Sequence, residues 1–219
     1  MMYRTLLGID STPGWYSADE VVKQADRYDI PSAYSLTMDT VRYYQGLRSV
    51  YQPIFDQLKS TSADSSAYLQ MQEVLKDDAQ PVQFRLFDRT GTEVFKLVNC
   101  YIDRPLAMDW NVENCFDAFP PRINVESLNT HNFALDFLLD KATTADGQRL
   151  TRADLPVSDY YGVVVWNNFF VKPSRALVKT IQQQMGSNEA VHLIYINNQN
   201  AEIWQAMTPA QKRQLLEKL

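Results

Sequence analysis

Apolar and polar positions alternate with a period that changes several times along the chain, and each change marks an element. From Tyr161 to Trp166 the run Tyr-Gly-Val-Val-Val-Trp is short, β-branched and uninterrupted, the pattern of a parallel strand covered on both faces. Asn167-Asn168-Phe169-Phe170 breaks it. Leu177, Ile181 and Met185 then recur every four residues beside Val178, which predicts an amphipathic helix. Pro173 suits its first turn and Gly186 its end. Val191 to Ile196 is apolar on most of both faces and predicts a second inner strand. Strand, helix and strand make one βαβ unit, whose crossover should be right-handed and its strands parallel.

The rest of the chain carries weaker versions of the same signals. Tyr3–Ile9 reads as a short strand and Thr12-Pro13-Gly14 as a turn. Ser17-Ala18-Asp19-Glu20 is a capping box that opens a helix, which should stop before Ile30-Pro31. A second helix is predicted from Thr37 to Leu58, rich in Tyr43, Tyr44 and Tyr51, and kinked or split at Pro53. A third follows the polar link 60–66, with Tyr68, Met71 and Leu75 inward. Pro81–Ile102 is the clearest β signal: two alternating runs joined by Asp88-Arg89-Thr90-Gly91. Residues 104–125 are irregular, with three prolines and Trp110, Phe116 and Phe119. Ser127–Lys141 predicts another helix, and Thr208-Pro209-Ala210-Gln211 caps a final one.

The order "strand ending in Trp, two polar residues, aromatic, X-x-Pro-X-Arg, helix, strand" resembles the core of thioredoxin-like thiol–disulfide oxidoreductases, especially their envelope-associated branch. Asp146 to Leu155 is similar to the hairpin and Asp-Leu step that precede the first core strand there. The resemblance covers residues 144–205. In that family the two X positions are the redox cysteines; here they are Val171 and Ser174. Neither side chain can supply the thiolate that disulfide exchange needs. The resemblance therefore implies a redox-inactive domain. It also implies that Pro81 stands where the family keeps a cis proline facing the motif. The family's hairpin follows the βαβ unit, whereas Pro81–Ile102 precedes it. The fold is accordingly expected to be α/β, with a mixed central sheet, flanking helices and a thioredoxin-like core that is permuted or incomplete.

One domain is expected over residues 1–219: a mainly helical part to residue 78, the hairpin 81–102, and the unit 144–205. Composition is that of an ordinary globular protein, with 45% hydrophobic and 21% charged residues. The net charge of −5 gives no field for nucleic acid. No apolar run reaches the ~18 residues of a membrane span. The start of the chain lacks a signal peptide, so it is cytosolic or, slightly favoured, a trimmed periplasmic or envelope protein. Cys100 and Cys115 could pair in an oxidising compartment; two free buried thiols is the preferred reading. No metal or cofactor motif is present.

Candidate chemistry is sparse. Phe170, Val171, Lys172, Pro173 and Ser174, with Pro81, form the expected surface for a peptide or protein partner. Lys172 and Ser174 at a helix start could attract an anion, although a self-satisfied cap is the simpler outcome. A second reading is an enzyme of another type, with a pocket near the 104–125 loop using Asp10, Arg104 or Asp109. A third is an oligomeric structural protein whose contact is helix 37–58. Asp77-Asp78 reads as solvated surface.

Overall fold

The computed structural model describes residues 16–60, 65–101, 108–123, 133–198 and 207–216. Expectations for Tyr3–Ile9, Thr12–Gly14, Asp10 and Arg104 lie outside these residues. Six strands form one mixed sheet in the order β3-β2-β5-β6-β1-β4. The strands are β1 (Ser35–Met38), β2 (Gln83–Asp88), β3 (Glu93–Val98), β4 (Ala142–Thr143), β5 (Tyr160–Trp166) and β6 (Val191–Asn197). The helices are α1 (Ala18–Asp26), α2 (Thr40–Ser60), α3 (Ser65–Asp78), α4 (Leu135–Leu139), α5 (Val171–Met185) and α6 (Pro209–Leu216). The α/β class with a mixed sheet between helices is thus the one the hydrophobic pattern predicts.

The βαβ unit forms as expected. β5 and β6 are parallel, from Tyr160 opposite Val191 to Trp166 opposite Asn197, and α5 bridges them. β5 is buried on both faces because each face meets its own apolar layer. Val164 and Trp166 point toward Leu177, Val178, Ile181 and Met185 of α5 and Val21 and Ala25 of α1. Val163 and Val165 point the other way, toward Tyr43, Leu47 and Tyr51 of α2, Met71 and Val74 of α3, and the α4 leucines. Hairpin β2–β3 lies antiparallel against β5, with Gln83 opposite Val165. The hairpin therefore completes the sheet from a position earlier in the chain. Its turn is the predicted one: Gly91 takes φ +84°, and Asp88 Oδ1 accepts from the Thr90 and Thr92 amides at 2.8 and 3.0 Å.

The capping box of α1 is present, with Ser17 N–H donating to Glu20 Oε2 at 2.7 Å and Glu20 N–H to Ser17 Oγ at 3.3 Å. The Thr208–Gln211 cap of α6 is made the same way. Three boundaries differ from expectation. Ser35–Met38 is a strand rather than a helix start, because Asp39 caps α2 by accepting from Arg42 N at 3.0 Å. α2 runs unbroken through Pro53. Of the helix expected over 127–141, residues 133–141 are described, and within them it covers Leu135–Leu139; Ala134 before it is extended and bridges to Thr92. Of the tyrosines on the helix expected as a possible subunit contact, Tyr43 and Tyr51 are buried in the chain's own core and Tyr44 is half-buried.

The largest departure concerns charge. Asp77 and Asp78, expected at the surface, are buried. Arg85 and Lys96 sit directly opposite one another on the hairpin, and both are buried. Like charges in that arrangement repel. Asp78 Oδ1 lies between them, 2.7 Å from Arg85 Nη2 and 2.9 Å from Lys96 Nζ. Arg85 also pairs with Glu93 at 2.6 Å and donates through Nε to Gln83 at 2.8 Å. Tyr51 donates to the second Asp78 oxygen and Tyr43 to its backbone carbonyl. Burial works against the Asp78 carboxylate, but Arg85 and Lys96 outweigh it and hold its pKa below the ordinary value.

Removing one member leaves uncompensated charge in a site closed to water. Asp78→Ala should cost about 3–5 kcal/mol in urea unfolding, the cost of breaking a buried ion pair. A loss below about 1 kcal/mol, the surface-pair range, would contradict the network. The sign in acid follows from the depressed pKa: the Asp78 contribution is present above the unfolded carboxyl value and lost as pH falls through the folded one.

Candidate binding surface at the carboxyl ends of β5 and β6

Two parallel strands end side by side, and each is followed by a pair of asparagines. Asn167 and Asn168 follow β5; Asn197 closes β6 and Asn198 follows it. All four are buried. Asn167 Nδ2 donates to Asn198 O at 3.1 Å and to Asn198 Oδ1 at 3.0 Å. Asn197 Nδ2 donates to Asn168 Oδ1 at 2.6 Å, and the Asn198 amide to Trp166 O at 2.9 Å. These amides satisfy backbone groups that a strand end would otherwise leave bare.

The turn into α5 is built by Asn167 and Ser174. Asn167 Oδ1 accepts from Phe169 N at 2.6 Å and Phe170 N at 3.2 Å. Ser174 Oγ accepts from Asn167 N at 3.0 Å and donates to Asn167 O at 2.9 Å. The hydroxyl is therefore committed at both ends. Tyr28 OH donates to Val171 O at 3.2 Å, and its ring meets Trp166 edge-on at 5.5 Å. Burial raises the Tyr28 pKa, so the phenol stays a donor. The indole N–H groups of Trp166 and Trp110 are buried without an acceptor.

The residues expected to form the partner surface divide by exposure. Ser174, Pro173 and Pro81 are buried, Phe170 and Val171 half-buried, and Lys172 exposed. Pro81 lies two residues beyond the Gln83–Val165 pair, at the end of β5 from which α5 departs. Its peptide bond is trans; Phe119-Pro120 is the cis bond among the described residues. Asp109 is exposed, and its carboxylate closes a turn by accepting from Asn111 N at 2.9 Å. Of the 104–125 loop, expected to lie near a pocket, residues 108–123 are described: Trp110, Cys115 and Phe116 belong to the core, and Phe116 packs edge-on against Phe84 and Phe95.

Both cysteines are unpaired in this structure, and Cys100 is exposed rather than buried. Its sulfur turns inward and donates to Asp77 Oδ1 at 3.2 Å. Burial, then Asp77, pushes the Cys100 thiol up to about 12, and burial does the same to Cys115. Neither is a nucleophile at neutral pH. Among the described residues no group of three or more His, Cys, Asp or Glu side chains is placed to hold a metal, and no helix is long and apolar enough to cross a membrane.

No protein-family model, curated protein or solved structure matches the chain.

Ser174→Ala deletes both bonds to Asn167 and leaves a buried amide and carbonyl unpaired. It should lower stability by about 1–3 kcal/mol in urea unfolding; a neutral substitution would mean the hydroxyl does not hold the turn. Iodoacetamide at pH 8 should label the native thiols far more slowly than the same chain in guanidinium. Native Cys100 labelling at the denatured rate would contradict its bond to Asp77.

Proposed function

We propose that this chain is a redox-inactive thioredoxin-like protein that binds a peptide or protein partner, or serves as a scaffold for one. The observation that carries this reading is the state of the two motif positions. Val171 has no nucleophile, and the Ser174 hydroxyl is buried and engaged twice by Asn167. Support for the thioredoxin-like core comes from hairpin β2–β3 lying beside β5, the neighbour that a permuted version of that core requires. The trans bond before Pro81 departs from the family pattern. The partner would meet Phe170, Val171 and Lys172, while Pro81, Pro173 and Ser174 are buried.

Two experiments test the reading. With dithiothreitol as reductant, the chain should not accelerate insulin precipitation over buffer; a clear acceleration rejects it. The double variant Val171→Cys, Ser174→Cys puts two thiols one helical turn apart, within the spacing a disulfide accepts. It should form an intramolecular disulfide and gain exchange activity. A folded double variant that stays inert would remove the reason for comparing this turn with a redox motif.

A further inference from the structure

β6 is covered unevenly on the side away from β5. Among the described residues, β1 pairs with it only from Ser35 opposite Tyr195 onward. The 3₁₀ turn Ser32–Tyr34 runs along the earlier part of the strand. There Tyr34 stands edge-on to His192, with ring centroids 4.2 Å apart and planes at 87°. Tyr161 of β5, opposite His192 in the ladder, meets the other side at 6.4 Å. His192 Nε2 is buried and has no hydrogen-bond partner.

Among the described residues, no charged group acts on this imidazole. The turn Ser32-Ala33-Tyr34, β1 and β5 contain no acidic or basic residue, and the described titratable groups facing the ring are the phenols of Tyr34 and Tyr161. A proton added here would put a cation beside a buried N–H that has no acceptor. The two sides of the clamp differ in firmness. Tyr161 belongs to the central strand of the sheet, whereas Tyr34 sits in a three-residue turn with no side-chain cap.

We propose that the His192–Tyr34 contact is an acid-releasable clasp: protonating His192 frees the Ser32–Tyr34 turn from β6 and loosens the start of β1. Moving the turn lets water reach Nε2, which is what the imidazolium needs. The sign follows from burial, the cause that lowers the His192 pKa from 6.5. The clasp is at full strength above the unfolded imidazole value and weakens as pH falls from there toward the lower folded value.

Hydrogen exchange followed by mass spectrometry, corrected for intrinsic rates, tests this on the full chain. Peptides covering residues 32–38 should lose protection as the pH is lowered from 7.5 to 5. His192→Phe keeps a ring and removes the titration, so its protection there should not change with pH. His131→Gln, which removes the other imidazole, should behave as the unsubstituted chain. Unchanged protection in the unsubstituted chain, or the same acid loss in His192→Phe, overturns the proposal. Should His192→Phe fail to fold, NMR decides: the Tyr34 ring signals must titrate with the His192 midpoint, and a different midpoint rejects the clasp.

Discussion

A single carboxylate, Asp78, stands between two buried cations that face each other across the β2–β3 hairpin. Without it the register that sets Arg85 opposite Lys96 would be unfavourable, and a one-residue slip would turn both to the other face. Asp78 is the last residue of α3, and Tyr43 and Tyr51 reach it from α2. One group thus ties two helices to the hairpin. The hairpin in turn supplies the strand that covers β5. Burying four charges is costly, and such clusters are better at selecting one arrangement than at adding stability. Here the arrangement selected is the one that completes the sheet.

Just beyond the carboxyl end of β5 the same principle acts without charge. Four asparagines and a serine close the ends of the parallel strands by bonding to one another and to the backbone. A thiolate at position 174 could not donate to Asn167 O as the hydroxyl does. The turn is therefore occupied with its own structure, and on the proposed reading this is where an exchange enzyme would keep a reactive sulfur. On the proposed reading, what remains for a partner is the half-buried Phe170 and Val171 and the exposed Lys172.

The parts legible in the sequence were those with a long, regular pattern. The β-branched run before Asn167 and the four-residue spacing of Leu177, Ile181 and Met185 specify the βαβ unit locally. Asp88 to Gly91 specifies the hairpin turn. β1 was illegible because Ser35–Met38 is four residues long and adjoins a good helix cap, so Thr37 reads equally well as helix. Asp78 is hidden from the sequence for a different reason: its partners lie on other elements, and a carboxylate near a helix end is ordinarily solvated. The alternation of Gln83, Arg85 and Phe87 held a clue, since Phe87 on the charged side implies that this side is covered. The asparagine quartet also left a trace, as a repeated Asn-Asn directly after each apolar run.

The sheet order has a bearing on how the chain is made. β5 and β6 occupy the middle of the sheet, yet among the described strands they are the last to be synthesised. The hairpin and β1 leave the ribosome with their future neighbours still untranslated, so Gln83 waits for Val165 and Ser35 for Tyr195. Pairings so distant along the chain close slowly and leave early strand edges open to other contacts. The N-terminal half is thus a template without its centre until the βαβ unit emerges and slots in.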